Sequence, residues 1–162
     1  MEIYERDIAL EWYRYGNEKK DDFFIRFMMY WIGFNWLYSQ MEYDENGNKF
    51  PNEREKVIAY YKKHKRKFER IDYFLLPGIE VLLNHPVNGK KGLQQRLKEG
   101  NTDALLLTLY QVRCNLFHGS KSLHNERDIA LVKASANILG EYMKVLVADP
   151  LQSTGNAPYN PR

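Results

Sequence analysis

The segment Arg113-Cys114-Asn115-Leu116-Phe117-His118-Gly119 sets a permanent cation five residues before an imidazole, at the end of an apolar stretch and just ahead of a polar one. That pairing suits work on a phosphate. Arg113 can neutralise the charge of a phosphorane, and His118 can take a proton from a hydroxyl or give one to a leaving oxygen at neutral pH. Asn115 could add a hydrogen bond to a phosphate oxygen. In a regular helix five residues advance about 500°, which leaves Arg113 and His118 about 140° apart around the axis. Two arrangements bring them together: a turn at Gly119 that redirects the imidazole, or a two-fold dimer whose protomers build one composite cleft. The competing, purely structural reading pairs Arg113 with a carboxylate on another helix and leaves His118 as a helix C-cap.

A second group of candidates lies at residues 62 to 70, where six basic residues face Glu69 alone. Lys62, Lys63, Lys65, Arg66 and Lys67 could track a phosphate backbone, with Tyr60, Tyr61 and Phe68 nearby as base-stacking surfaces. Tyr61 and Phe68 also fall on an apolar stripe, which argues for burial. Lys121, after the motif, would extend the positive surface. His64, His85 and His124 lack the spacing of metal ligands, so no metal site and no cofactor is expected. Cys114 is the only cysteine, which leaves no disulfide framework and fits a reducing, cytoplasmic setting. It reads as a small apolar side chain.

These residues must be positioned by helices. With 162 residues, 44% of them hydrophobic and 14% aromatic, the chain can fill one sizeable core, and a formal charge of +3 does not by itself mark a nucleic-acid binder. The charged start, Glu2 to Asp7, does not read as a signal peptide. The apolar run Phe23 to Tyr38 is shorter than the roughly 20 residues a membrane span needs and carries Arg26 and Asn35, so a buried helix is expected rather than a membrane contact.

The expected elements are a helix over Ile3 to Tyr15 stopped at Gly16-Asn17, a second capped at Asp21 or Asp22, and a surface loop from Tyr43 to Asn52. A third helix is expected over Glu53 to Phe74, with Val57, Ile58, Tyr61, Phe68, Ile71 and Leu75 inward. A short piece at Leu93 to Lys98 precedes the helix carrying the motif, which Asn101 or Thr102 would cap and which Leu105, Leu109, Val112 and Leu116 anchor. The last helix starts after Asn125, and its seam of Ile129, Val132, Ala136, Leu139, Met143 and Leu146 reads as intramolecular core. Asn35 is the odd polar member of the second stripe: either a satisfied core amide or part of a polar site. The fold class is therefore all-α, an up-and-down bundle of about five helices in one domain over residues 1–148, with a disordered tail at 149–162.

An Arg, four intervening residues and a His, then Gly, at the end of a penultimate helix in a small all-α domain resembles the signature of the HEPN superfamily. The similar stretch runs from the aromatic second helix to about Val147, and its key wording is Val112 to Gly119. The resemblance implies a homodimer with a composite site and metal-independent endoribonuclease activity. Arg113 would hold the scissile phosphate and His118 would act as general acid and base. The ribose 2′-hydroxyl would attack to leave a 2′,3′-cyclic phosphate, so the substrate would be RNA. It also implies a toxin–antitoxin or defence setting with an antitoxin protein as partner. Cys114 stands where the family commonly has a polar residue directly after the Arg; Asn115 comes one place later. A non-catalytic module binding RNA, a nucleotide or a protein partner has the same fold.

Overall fold

The computed structural model describes residues 3–87, 91–119 and 124–148. Among these the chain forms eight α-helices: α1 (Ile3–Glu18), α2 (Phe23–Ser39), α3 (Glu53–Lys63), α4 (Lys65–Phe68), α5 (Ile79–Asn84), α6 (Lys91–Lys98), α7 (Thr102–Phe117) and α8 (Glu126–Leu146), with a 3₁₀ turn at Tyr73–Leu75. No strand forms among the described residues beyond an isolated bridge between Tyr43 and Lys49. The all-α expectation agrees with this. The expected disordered tail at 149–162, like Lys121, lies outside the described residues.

α2 is the axis of the packing. It has no polar face because α1 covers one side and α8 another, so Phe27, Tyr30, Trp31, Phe34, Leu37 and Tyr38 are all buried. Asp22 starts it by accepting a hydrogen bond from the Ile25 amide at 3.0 Å. The seam expected on the last helix is internal from its second member on: Val132, Ala136, Leu139, Met143 and Leu146 of α8 are buried in the same cluster, while Ile129 is half-buried and outside it. Asn125 caps α8 through the Asp128 amide. α7 is apolar nearly all round, with Ala104 to Leu109 consecutively buried, and so runs through the core before its last turn emerges.

Three boundaries differ from the sequence reading. α1 continues through Gly16 to Glu18. Asn101 precedes α7, but its side chain donates back to the Arg96 carbonyl at 3.0 Å and does not cap. The long third helix divides at His64, whose amide bonds the carbonyls of Tyr60 and Tyr61 and whose ring lies 4.4 Å from that of Tyr60. A continuous helix would align Lys62 with Arg66 and Lys63 with Lys67, like charges four residues apart that weaken it. The break lets Phe68 reach Tyr142, 5.5 Å between rings, and turns Leu75 outward, 80% exposed where the unbroken helix would have buried it.

Tyr30 marks the tightest approach. Its ring lies between Gly16 and Gly140, where a Cβ would come within 2.6 Å and 2.8 Å of it. Its hydroxyl donates to Asn17 and accepts from Arg26 Nε at 3.2 Å, so the ring is tethered. Gly140→Ala should therefore lower unfolding stability by about 1–3 kcal/mol in urea titrations. An unchanged midpoint would show that the slot is not tight.

Candidate functional site

Arg113 leaves α7 on the side facing α3 and α2. Its Nη1 donates to Glu53 Oε2 at 3.0 Å, and the two side chains are 23% and 27% exposed, so water screens the pair only in part. The other carboxylate oxygen, Oε1, accepts from Asn35 Nδ2 at 2.9 Å and from the Tyr38 hydroxyl, while Asn35 Nδ2 also lies 2.7 Å from Tyr38 Oη. One carboxylate thus joins α2, α3 and α7. Asn35 is accounted for as part of this polar cluster.

The location of Glu53 has a local cause. It is the first residue of α3, capped by Asn52, whose side chain accepts from the Glu55 amide at 2.9 Å. A helix N-terminus favours an anion. Around the guanidinium stand three rings, Phe117 at 4.8 Å and Trp31 and Tyr110 each at 5.9 Å. Burial works against the charge on Arg113, but the bond to Cys114 and the Glu53 carboxylate outweigh it and raise its pKa. Burial and the bond to Glu53 push the Tyr38 hydroxyl well above its ordinary range, and burial with the bond to Cys114 pushes Tyr110 up to about 12. Both phenols are therefore hydrogen-bond donors at neutral pH. Arg113 Nε is buried and meets no hydrogen-bond acceptor among the described residues.

His118 is exposed at the C-cap of α7. Its amide still bonds the Cys114 carbonyl at 3.0 Å and its φ of −81° is helical, so its Cβ departs on the course the helix dictates. The positive φ of Gly119, 69°, comes after the imidazole and does not turn it. A turn at Gly119 that swings the imidazole toward Arg113 is thus not what occurs. Ideal helical geometry then sets the Cα–Cβ bonds of the two residues about 140° apart around the axis. Phe117 between them is 58% exposed. Both parts of the structural reading hold as geometry: Arg113 pairs with a carboxylate on another helix, and His118 caps its own.

Asn115 is 4% exposed and its Oδ1 accepts from Gln111 Nε2 at 2.8 Å, so its carbonyl oxygen is turned to its own helix. In the basic cluster Lys62, Lys63, Lys65 and Arg66 are exposed, and Lys67 is half-buried. Of the rings beside them, Phe68 is buried and Tyr61 half-buried, as their place on the apolar stripe implied, and Tyr60 is buried as well. Tyr60 packs on Phe34 of α2 and on Phe68, while Phe68 packs on Tyr61 and on Tyr142 of α8. Glu53, Tyr38, Tyr110 and Phe117 were not singled out by the sequence. The anomaly of Asn35 and the expected carboxylate partner of Arg113 pointed toward them, but not to which residues, since Glu53 lies 60 residues from Arg113.

Comparison with family models, curated proteins and solved structures finds no match. The functional reading therefore rests on the residues themselves. Among the described residues no three of His, Cys, Asp or Glu gather in a set that could hold a metal ion, and no helix is long and apolar enough to cross a membrane.

Glu53→Ala and Arg113→Ala should each lower unfolding free energy by about 1–3 kcal/mol, and the double variant should lose less than their sum, because each single change strands the other's charge. Strict additivity in urea titrations would remove the pair as a structural tie. His64 gives a pH test. Burial first, then Lys67 and Lys63, depress its pKa to about 4. The unfolded chain therefore takes up a proton near the ordinary value of about 6.5 that the folded chain refuses until about 4, so this group's stabilisation is lost as pH falls through that window. His64→Gln should flatten the stability profile between pH 6.5 and 4 relative to the native chain; parallel profiles would contradict this.

Proposed function

We propose that this chain is a HEPN-like, metal-independent endoribonuclease that acts as a homodimer. The observation that carries the reading is the placement of the motif. A guanidinium held in a fixed orientation at the last turns of α7 precedes an exposed imidazole on the helix end, with an exposed Phe117 between them. The divergence of Arg113 and His118 supports a cleft completed by a second protomer, since an isologous interface sets one copy's Arg beside the other's His. Phe117 supplies apolar surface for such a contact.

The chemistry comes from the residue types. The ribose 2′-hydroxyl is the nucleophile, and as it loses its proton to an imidazole its oxygen bonds to phosphorus. The bond from phosphorus to the 5′-oxygen then breaks as that oxygen gains a proton, leaving a 2′,3′-cyclic phosphate and a 5′-hydroxyl. Entering and leaving oxygens stand on opposite sides of phosphorus, so one imidazole does not serve both at once. In each composite site a single His118 takes the 2′ proton, and water supplies the proton to the leaving oxygen. Arg113 stabilises the charge that builds on the non-bridging oxygens. Glu53 orients Arg113 and partly neutralises it, so the guanidinium works through geometry, using donors other than the Nη1 bond to Glu53.

The test is cleavage of end-labelled RNA in EDTA by the native protein, His118→Ala and Arg113→Lys, with end-group analysis. Cyclic-phosphate and 5′-hydroxyl ends from the native protein, with His118→Ala slower by about 100-fold or more, are expected. Equal rates for native and His118→Ala protein, or equal cleavage of the DNA version, would overturn it. RNA binding without any cleavage would make the chain a binding module.

A further inference from the structure

The loop between α2 and α3 carries no helical periodicity, yet it is a built element. Tyr43 and Lys49 bridge, the Asp44 amide bonds the Asn48 carbonyl at 2.8 Å, and the Phe50 amide bonds the Glu42 carbonyl at 3.1 Å. The Asp44 carboxylate closes the tip by accepting from the Asn46 amide at 2.9 Å and the Asn48 amide at 2.8 Å. Against α3 this loop encloses a hollow of about 500 Å³ with Met41, Phe50, Ile58 and Ala59 as its apolar wall. Tyr43 stands on its rim, 59% exposed.

One end of the hollow is cationic. Lys62 and Lys63 line it and also line a second hollow that contains Lys65 and Arg66, so the two adjoin at these lysines. Three acids also line the hollow: Asp44 is engaged within its own loop, Glu55 pairs with Arg54 at 3.2 Å, and Glu45 stands exposed at the loop tip. The sum is an apolar, aromatic floor that opens onto a cationic exit. α3 itself, about 16 Å long, begins at Glu53, which holds Arg113, and ends at these lysines.

We propose that the outer side of α3 is a track for single-stranded RNA, in which a base stacks on Tyr43 over the hollow and the flanking phosphates meet Lys62, Lys63 and Arg66. This rests on the reading of the chain as a protein that acts on RNA. The strand must be single because a duplex hides the base faces that an aromatic ring can stack on. The aromatic partner of the basic cluster is thus Tyr43 from a loop, not Tyr60 or Phe68 from the helices.

Binding is separable from cleavage. With His118→Ala as the background, anisotropy of a labelled single-stranded oligonucleotide of mixed sequence should show tighter binding than its duplex. Adding Tyr43→Ala should weaken single-strand binding by about tenfold or more, while Tyr43→Phe retains it. Lys62→Glu with Lys63→Glu should weaken binding and lower the slope of log affinity against log salt by about one to two. Because Tyr43 is exposed, thermal unfolding of Tyr43→Ala should match its background and so exclude misfolding. No binding, equal binding of duplex, or indifference to Tyr43→Ala would overturn the track. If the native protein nonetheless cleaves RNA, the catalytic reading survives that result. If Tyr43-dependent binding appears without cleavage, the track stands and the ribonuclease reading falls.

Discussion

A guanidinium taken partly out of water needs a countercharge, and the whole arrangement around the motif depends on how Arg113 gets one. Glu53 meets it with one oxygen and uses the other to accept from Asn35 and Tyr38. That carboxylate fixes where α3 begins relative to α2 and α7. It stands in the first turn of a capped helix, where the backbone already favours negative charge. The rings of Trp31, Tyr110 and Phe117 then limit the ways the guanidinium can turn. The cluster thus serves stability and site geometry through the same bonds.

The second constraint is angular. α7 keeps its helical course through the amide of His118, so the imidazole and the guanidinium leave on different sides. A helix end of this kind does not close a site within one chain. It leaves the guanidinium and the imidazole on separate courses, with Phe117 exposed beside them. On the proposed reading, catalysis on a phosphate would require a second copy, and the dimer interface would be part of the chemistry.

Helices were legible where apolar spacing met a cap: Asp22 and Asn125 mark true starts, and the seam of α8 is internal from Val132 on, as its spacing implies. The break at His64 was not legible, because Tyr61 and Phe68 fit an unbroken stripe and the repulsion among the lysines competes with that pattern only in three dimensions. The expected five helices become eight among the described residues for the same reason, through short segments that periodicity joins or passes over. The motif was visible as residue types, and the sequence reading included a carboxylate partner for Arg113. It could not say which carboxylate, since the pair is separated by 60 residues. Burial of Phe68 was legible from the apolar stripe; that of Tyr60 was not, and the exposed Tyr43 ring belongs to a loop with no periodic signal.

The composite site is the central claim, and a mixed dimer tests it most directly. One protomer carries Arg113→Lys and the other His118→Ala, under separate affinity tags so that only the heterodimer is purified. If Arg113 of one copy works with His118 of the other, one of the two sites is intact, and cleavage should return to about half the native rate although each variant homodimer is inactive. A heterodimer as inactive as its parents would contradict the composite site.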